Sequence, residues 1–194
     1  MTELQRKQLR RKLQARRKSL DTDTVREYSA GICQRLHQLI PHATRTAGYF
    51  ALGNEVDISG AMAQLGAAGK IVYVPVVLPQ YRMLFAPLDN ATPLITNRYG
   101  IKEPQVDQEQ LVNAKQLDAV LVPLVGFDEQ CNRLGMGGGY YDRCFEHRLA
   151  ADDSPVLIGV AFELQLSTSV FAERWDVPLD HVVTESRILT RSRV

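Results

Sequence analysis

A glycine-rich segment in the second half of the chain has the composition of a phosphate-binding loop. Four glycines occupy the five positions 135–139, between Arg133 and Asp142. Glycine adopts positive φ angles and lets backbone N–H groups approach a ligand, and N–H groups at a helix start attract phosphate. Arg133 adds a charged fork for a phosphate oxygen, and Asp142 suits a Mg²⁺ ion carried by a nucleotide. A tight turn with a favourable charge at a helix start is the alternative.

The spacing of this loop excludes two familiar nucleotide-binding motifs. The chain has no GxxxxGK[ST] sequence, and GxGGG differs from a dinucleotide fingerprint. The four histidines form no HxH or HExxH pattern, so they predict no metal site. The three cysteines form no CxxC pair, which argues against a disulfide framework or a zinc site and favours a reducing, cytoplasmic location.

The N-terminal segment is strongly basic, although the net charge of the whole chain is only +1. Residues 1–20 carry eight basic side chains and one acidic one, Glu3. Arg6 and Arg10 stand four residues apart and share one helix face, so both can reach one target. Three interpretations stay open: a phosphate clamp over the glycine loop, a solvated charged face, and a nucleic-acid-binding helix. The third is disfavoured because no aromatic stacking platform accompanies the charge.

Acidic residues elsewhere add weaker signals. Glu55 and Asp57 follow an apolar run, 44–52, where carboxylates suit a ligand with N–H donors such as a pterin ring. The alternatives are loop solubility and, for Asp57, a helix cap. Glu103 is a similar but weaker candidate for a ligand-binding carboxylate. Asp176 can be a second Mg²⁺-facing acid or a turn former.

Alternating apolar segments predict the elements that must position these residues. Apolar spacing predicts helices over 2–19, 22–40, 59–68 and 140–150. Apolar, β-branched runs predict strands over 44–52, 70–77, 82–88, 117–127 and 155–162, with short closing strands in 181–190. This alternation predicts an α/β layered fold with a mainly parallel sheet and flanking helices, in a single domain, 1–194. The glycine loop then follows the carboxyl end of strand 117–127, where such sheets bind ligands.

One long stretch, VPLVGFDEQCNRLGMGGGYYDR at 122–143, resembles the signature of the 5-formyltetrahydrofolate cyclo-ligases, also called methenyltetrahydrofolate synthetases. Shorter matches follow the same order along the chain: KQLRRKL, FALGNEVD, IKEP, IGVAFELQ and WDVPLDHVVTE. The resemblance implies a fold like those of sugar-phosphate isomerases and CoA-transferases. It also implies an enzyme in which ATP and Mg²⁺ drive 5-formyltetrahydrofolate to 5,10-methenyltetrahydrofolate. The implied route passes through a phosphorylated formyl group, an imidate phosphate, and releases ADP and phosphate.

The resemblance also implies a role for each matching position. ATP contacts are expected at Arg6, Arg10, Arg133, Leu134, Gly135, Met136, Gly137, Gly138, Gly139, Tyr140 and Tyr141. Folate contacts are expected at Phe50, Glu55, Met136, Gly137, Gly138, Gly139 and Tyr140. The expected metal-facing acids are Asp142 and Asp176, and the expected catalytic residues are Arg133, Tyr140 and Asp142.

The sequence departs from the family pattern at two places. Cys131 stands where the family usually has glycine, so we expect a different or strained turn. The loop also lacks the basic residue that some relatives have at Met136 or Gly138, which leaves charge neutralisation to Arg133 and the N-terminal bases.

Two other functions stay open on the sequence alone. One is a non-catalytic nucleotide- and folate-binding regulator on the same fold, and the other is a nucleic-acid-binding module that uses the basic helix. The small net charge creates no general field for nucleic acid, and no apolar run approaches the ~18–20 residues of a membrane span. We therefore expect a monomer whose partner is the small-molecule substrate, with neither nucleic acid nor membrane involved.

Overall fold

Helices and strands alternate through most of the chain. The computed structural model describes residues 2–97, 100–150 and 154–192, and the expected domain, 1–194, extends past these ranges at both ends. The helices are α1 (Thr2–Lys18), α2 (Thr22–Leu39), α3 (Ser59–Ala67) and α4 (Tyr140–Cys144). The strands are β1 (Arg45–Ala47), β2 (Ile71–Leu78), β3 (Arg82–Leu88), β4 (Leu94–Thr96), β5 (Lys102–Pro104), β6 (Ala119–Pro123), β7 (Gly126–Phe127), β8 (Arg133–Leu134), β9 (Val156–Val160), β10 (His181–Val183) and β11 (Ile188–Thr190).

Seven of the described strands form one central sheet in the order β11-β10-β9-β6-β1-β2-β3. The four inner pairs, β10–β9, β9–β6, β6–β1 and β1–β2, are parallel. Both outer pairs, β2–β3 and β10–β11, are antiparallel. The pairs β4–β5 and β7–β8 form separate two-stranded sheets. The predicted α/β fold with a mainly parallel sheet and flanking helices is therefore confirmed.

Apolar side chains cover both faces of the central sheet. Neighbouring residues of β6 separate the two layers, because Leu121 packs in one core cluster and Val120 in the other. The first cluster includes Ile32 and Leu36, four residues apart on α2. The second includes Phe145, which directly follows α4. Such burial on two sides explains why the parallel strands are continuous apolar runs.

The predicted strand 117–127 is wrong in its extent, since β6 ends at Pro123 and the chain then bends into β7. The side-chain amide of Gln165 donates to the carbonyls of Leu124 and Val125, at 2.9 and 3.0 Å. These two carbonyls are thereby satisfied without a neighbouring strand. Because β7 turns back to pair with β8, the expected loop 128–139 contains a hairpin.

Two further boundaries differ from the sequence prediction. The expected strand 44–52 is reduced to β1, because the chain folds back on itself where the Tyr49 hydroxyl donates to the Val56 carbonyl at 3.0 Å. The expected helix 140–150 is split into α4 and a 3₁₀ turn over Glu146–Leu149. The fully buried Phe145 lies at the junction and fixes the break.

Helix α1 docks on the protein mainly through polar side chains. Leu13 is the fully buried apolar residue of this helix, and it lies so close to Gly126 that a Cβ there would be 2.3 Å from Leu13 Cδ1. Arg6 is buried as well, whereas Leu4 is exposed. The inward face of α1 is thus largely cationic, unlike that of a common amphipathic helix. Among the described helices, none has the length and apolar character needed to cross a membrane.

Candidate active site

The hairpin β7–β8 and helix α4 hold the two ends of the glycine loop. The backbone N–H of Val125 donates to the Leu134 carbonyl at 2.8 Å, which fixes the first end. Gly137 and Gly139 have φ angles of 101° and 65°, in the left-handed region that other residues rarely adopt. Gly139 immediately precedes α4, so its conformation turns the chain into the helix. These two glycines are required by the backbone of the loop.

Arg133 and Asp142, which flank the loop, form an ion pair in which the arginine is buried and the aspartate half-buried. Arg133 Nη2 donates to Asp142 Oδ1 at 2.6 Å, and Arg133 Nη1 donates to the Val177 carbonyl. The same Asp142 oxygen accepts from the Val177 N–H at 3.1 Å. Arg133 is only 5% exposed, so its guanidinium lies behind Asp142 and holds that carboxylate against the segment around Val177.

A second ion pair joins α1 to the segment that contains Asp176. The guanidinium of Arg6 donates to both carboxylate oxygens of Asp176, and to the Phe171 carbonyl at 3.1 Å. Burial works to lower the pKa of Arg6, but the hydrogen bond and the negative charge of Asp176 outweigh it, so the pKa is raised and the cation persists. Among the described residues, Nε of Arg6 is one of the few buried side-chain atoms without a hydrogen-bond partner. Arg6 therefore keeps an unused donor.

Arg10 connects α1 to the glycine loop directly. Its Nε donates to the Gly135 carbonyl at 3.0 Å, and its Nη1 lies 3.2 Å from Glu3 Oε1. The guanidinium carbon would be 3.7 Å from a Cβ placed on Gly137. The basic helix is thus packed on the loop, as the clamp interpretation of the sequence predicts.

These contacts surround a cavity of about 560 Å³. Its walls include the predicted residues Arg6, Arg10, Gly137, Gly138, Gly139, Asp142 and Asp176. They also include Glu3, Arg143, Glu146, Glu173 and Trp175, which the sequence did not single out. A volume in the range of about 300–1,000 Å³ is typical of small-molecule sites. The combination of guanidinium groups, backbone N–H groups and two carboxylates suits a phosphate chain with a divalent cation.

Gly137, Gly138 and Gly139, which are also predicted folate contacts, line this cavity, whereas Phe50 and Glu55 lie outside its walls. Glu55 is 3.5 Å from Arg17 through Oε1, and its Oε2 accepts from the Leu52 N–H at 3.1 Å. Burial raises the pKa of Glu55, and the charge of Arg17 partly opposes the rise. Phe50 is half-buried and packs against the first core cluster. Because Arg6, Arg10 and Arg17 all lie on α1, this helix joins the cavity to the surroundings of Glu55.

The remaining predicted loop residues have different environments. Leu134 is fully buried, so only its backbone can meet a ligand, whereas Met136 is 69% exposed. Tyr140 lies beside Tyr81, with ring centroids 5.7 Å apart. Tyr141 packs against Phe145, and burial raises the pKa of its hydroxyl.

Several site residues were missed by sequence reasoning. Arg17 was within reach, because it stands seven residues after Arg10 and so shares a helix face with it. Arg143 follows the recognised loop, and its guanidinium donates to the Gly138 carbonyl and lies 4.7 Å from the Tyr81 ring centroid. Trp175 opens the matched segment WDVPLDHVVTE, from which only Asp176 was singled out, whereas the wall residues Glu146 and Glu173 have no local pattern that could have revealed them.

Two weaker acidic candidates have structural roles. Glu103 accepts from the Val77 N–H at 2.9 Å and from the Asn97 amide at 2.8 Å, which ties β5 to β2. Asp57 accepts from the Ser59 N–H at 2.9 Å, at the start of α3. The N-cap of α3 is Ile58, so the cap prediction for Asp57 is wrong by one residue, although its carboxylate accepts from the first N–H of the helix.

The turn at Cys131 is strained, as its departure from the family pattern predicts. Cys131 has a φ angle of 60° and is fully buried. Asp128 closes the turn by accepting from the N–H groups of Gln130 and Asn132, at 3.1 and 3.0 Å. The Cys131 carbonyl accepts from the Leu179 N–H at 3.0 Å, so this turn also holds the segment that follows Asp176.

The arrangement of acids fits a magnesium ion that arrives with a nucleotide. In the ranges that the structure describes, no group of three or more His, Cys, Asp or Glu side chains could hold a metal alone. Mg²⁺ commonly binds through one or two carboxylates together with substrate phosphates. Asp142 and Asp176 both face the cavity and meet that requirement.

The fold and the cavity together define an α/β protein with a mainly parallel sheet and an arginine-lined cavity between α1 and the glycine loop. The 5-formyltetrahydrofolate cyclo-ligase family model matches residues 2–185. The chain therefore belongs to the 5-formyltetrahydrofolate cyclo-ligase family.

Individual relatives agree with this membership. The chain is 34% identical over 180 residues to the 5-formyltetrahydrofolate cyclo-ligase of Escherichia coli (strain K12), covering 91% of this chain and 98% of that protein. It is 32% identical over 183 residues to the Haemophilus influenzae protein of the same name, with 92% and 97% covered. The solution structure of Aquifex aeolicus 5,10-methenyltetrahydrofolate synthetase superposes with a TM-score of 0.82 at 26% identity, covering 97% of this chain and 95% of the other. The structure from Mycoplasma pneumoniae gives a TM-score of 0.72 at 26% identity, with 93% and 98% covered.

Proposed function

We propose that this chain cyclises 5-formyltetrahydrofolate to 5,10-methenyltetrahydrofolate in a reaction that uses ATP and Mg²⁺ and releases ADP and phosphate. Family membership and the names of the relatives support the reaction. The observation that carries the ATP and Mg²⁺ requirement is the cavity between α1 and the glycine loop, where Arg6 and Arg10 meet Asp142 and Asp176.

The chemistry requires activation of a poor leaving group. The formyl oxygen takes the γ-phosphoryl group of ATP, which forms an O–P bond and releases ADP. N10 of the folate then attacks the formyl carbon and loses its proton, and the former formyl oxygen leaves within inorganic phosphate. Positioning and charge stabilisation provide most of the catalysis in phosphoryl transfer, so the protein needs no nucleophilic side chain.

We assign phosphate binding to Arg6, Arg10 and the backbone of 135–139. Arg10 already contacts the loop, and Arg6 lines the same cavity. Because Arg133 is buried behind Asp142, we assign it a positioning role toward that carboxylate, with no direct contact to the phosphates. Leu134 contributes through its backbone.

Asp142 and Asp176 would hold the magnesium ion together with phosphate oxygens. The ion would supply positive charge that neutralises the transferring phosphoryl group. Each carboxylate is bonded to an arginine, Asp142 to Arg133 and Asp176 to Arg6. These ion pairs hold the carboxylates in place before the nucleotide binds.

The folate is proposed to occupy the side of the loop toward Phe50 and Glu55. The Glu55 carboxylate is an acceptor for the N–H groups of a pterin ring. Met136 of the loop and Tyr140, the first residue of α4, are proposed to contact the folate as well. We also propose a monomer in the cytoplasm, where the three free cysteines stay reduced; elution at the mass of one chain would support the first point.

The testing experiment follows the near-ultraviolet absorbance of methenyltetrahydrofolate when the protein is mixed with 5-formyltetrahydrofolate, ATP and Mg²⁺. We expect product growth that stops when either ATP or Mg²⁺ is omitted, with one phosphate released per product. Label from a formyl ¹⁸O should appear in that phosphate. Nucleotide binding without product would instead favour the non-catalytic regulator, and salt-sensitive binding of RNA or DNA through residues 1–20 would favour the nucleic-acid module.

A further inference from the structure

The cavity wall carries an aromatic residue that the proposed chemistry does not use. Trp175 is the single tryptophan of the chain, and it is 57% exposed. It is a wall residue of the same cavity as Arg6 and Arg10. An exposed tryptophan needs no explanation by itself, but one that lines a ligand cavity beside charged groups offers a large apolar face to a ligand.

The backbone around Trp175 is held firmly. The N–H of Asp176 donates to the Glu173 carbonyl at 2.9 Å, and the N–H of Glu173 donates to Asp176 Oδ2 at 2.8 Å. The same carboxylate is bonded by Arg6 of α1. Trp175 is thus the neighbour of a fixed residue proposed to face the metal and the phosphates.

Different groups on the cavity walls match different parts of a nucleotide. Guanidinium groups and the loop backbone match the phosphates, while the two aspartates match the cation. A nucleotide also has a flat, apolar base, which requires a π surface. Trp175 is the aromatic wall residue of the cavity, whereas Tyr81, the other strongly exposed aromatic residue in the described ranges, is already covered by Tyr140 and Arg143.

We propose that Trp175 is the stacking platform for the base of the nucleotide. This inference rests on the proposed function, because it assumes that the cavity binds ATP. It adds that affinity comes from two separable parts, the phosphates on the arginines and the base on the indole. Stacking depends on ring surface more than on hydrogen-bond pattern, so the site should bind other purine nucleotides as well.

The test uses the intact chain with Mg²⁺ and two ligands, ATP and tripolyphosphate, which has the phosphates without the base. Because Trp175 is the sole tryptophan, its fluorescence reports on this position alone. We expect ATP to quench the emission and tripolyphosphate to bind, by calorimetry, with little quenching. In Trp175→Ala the Kd of ATP should rise about tenfold or more, while that of tripolyphosphate stays within about twofold.

Trp175→Phe is the matched control, because it keeps an aromatic face and should restore most of the ATP affinity. An unchanged ATP affinity in Trp175→Ala, or an equal loss for both ligands, would overturn the stacking role. Wild-type binding of tripolyphosphate with no added affinity for ATP would overturn it too, while leaving the phosphate site intact. If the wild type binds neither ligand, the proposed function itself fails and this inference fails with it.

Discussion

Two buried arginine–aspartate pairs have different surroundings, although their aspartates, Asp176 and Asp180, stand only four residues apart in the chain. Arg6 bonds both oxygens of Asp176 at the wall of the cavity. Arg148 bonds both oxygens of Asp180, at 2.9 and 2.8 Å, and also donates to the Pro155 carbonyl. The second carboxylate further accepts from the Leu157 N–H at 2.7 Å, at the start of β9.

The difference shows that ion-pair chemistry alone does not make a functional site. Arg148 and Asp180 bond each other and nearby backbone groups. These bonds connect the 3₁₀ turn after α4 to β9 and to the segment before β10. The Arg6–Asp176 pair, by contrast, lies at the wall of the cavity. We therefore expect the Arg148–Asp180 pair to govern stability and the Arg6–Asp176 pair to govern activity.

The largest effect should come from breaking the enclosed pair. Asp180→Ala leaves Arg148 buried and uncompensated, so the free energy of unfolding should fall by about 3–5 kcal/mol. Asp176→Ala leaves Arg6 beside the cavity, where water can solvate it, and should lose less than about half of that amount. Urea denaturation of the two variants measures both values. Equal losses would remove the distinction between the pairs.

The next effect concerns turnover at the cavity. Asp142→Ala removes a charge proposed to face the metal and the phosphates, and Arg133→Ala releases the carboxylate that Arg133 positions, so each should reduce turnover roughly 10²-fold or more. Arg187→Ala is the control, since Arg187 pairs with Glu129 and Glu163 away from the cavity walls and should keep turnover within about twofold. Steady-state kinetics at saturating substrates provide the comparison. Near-normal turnover in either cavity variant would remove that residue from the catalytic arrangement.

A smaller effect is expected on folate binding. Glu55→Ala should raise the KM for 5-formyltetrahydrofolate about tenfold and leave the KM for ATP unchanged, because pterin binding is mostly ground-state binding. An unchanged folate KM would place Glu55 outside the folate site.

Arg17 should shift the pH dependence of that KM. Burial raises the pKa of Glu55 and Arg17 opposes the rise, so Arg17→Gln should raise the pKa further. The carboxylate is the form that accepts from the pterin. As pH falls, the folate KM should therefore begin to increase at a higher pH in Arg17→Gln than in the wild type. The neighbouring Arg16→Gln, an exposed position, is the control, and identical pH profiles for all three proteins would contradict the role of Arg17.

The smallest effect tests the turn that holds the segment between the two aspartates. Cys131 adopts a left-handed backbone conformation, and its carbonyl accepts from the Leu179 N–H. Cys131→Gly and Cys131→Ala both lose the sulfur, but only glycine relieves the positive φ angle. The glycine variant should therefore be the more stable by about 1 kcal/mol, measured by thermal or urea unfolding. A more stable alanine variant would show that the turn relaxes without strain.

The sequence predicts the layered fold well because burial of strands on both faces leaves continuous apolar runs, as in β2 and β6. It also gives the order of the elements and marks the glycine loop. It fails where a distant side chain ends an element. The side chain of Gln165, about forty positions further on, donates to the two carbonyls that would otherwise have extended β6. No local sequence pattern predicts this contact.

The same limit applies to the candidate site. Spacing relates Arg6 to Arg10, but it does not show that their helix packs on the loop, or that Asp176 opens to a cavity while Asp180 is enclosed. Those properties depend on contacts between residues more than a hundred positions apart, such as Arg6 with Asp176. Trp175 illustrates the point, since the matched segment that begins with it does not show that its ring lines the cavity.

The most direct test of the account is the methenyltetrahydrofolate absorbance assay, run side by side on the wild type and on Asp176→Asn after circular dichroism has shown that both are folded. The wild type should form product only when ATP and Mg²⁺ are both present. Asp176→Asn should form it roughly 10²-fold more slowly, because the carboxylate proposed to face the metal is lost. No product from the wild type, or equal rates from the two proteins, would contradict the assignment of this reaction to the cavity between α1 and the glycine loop.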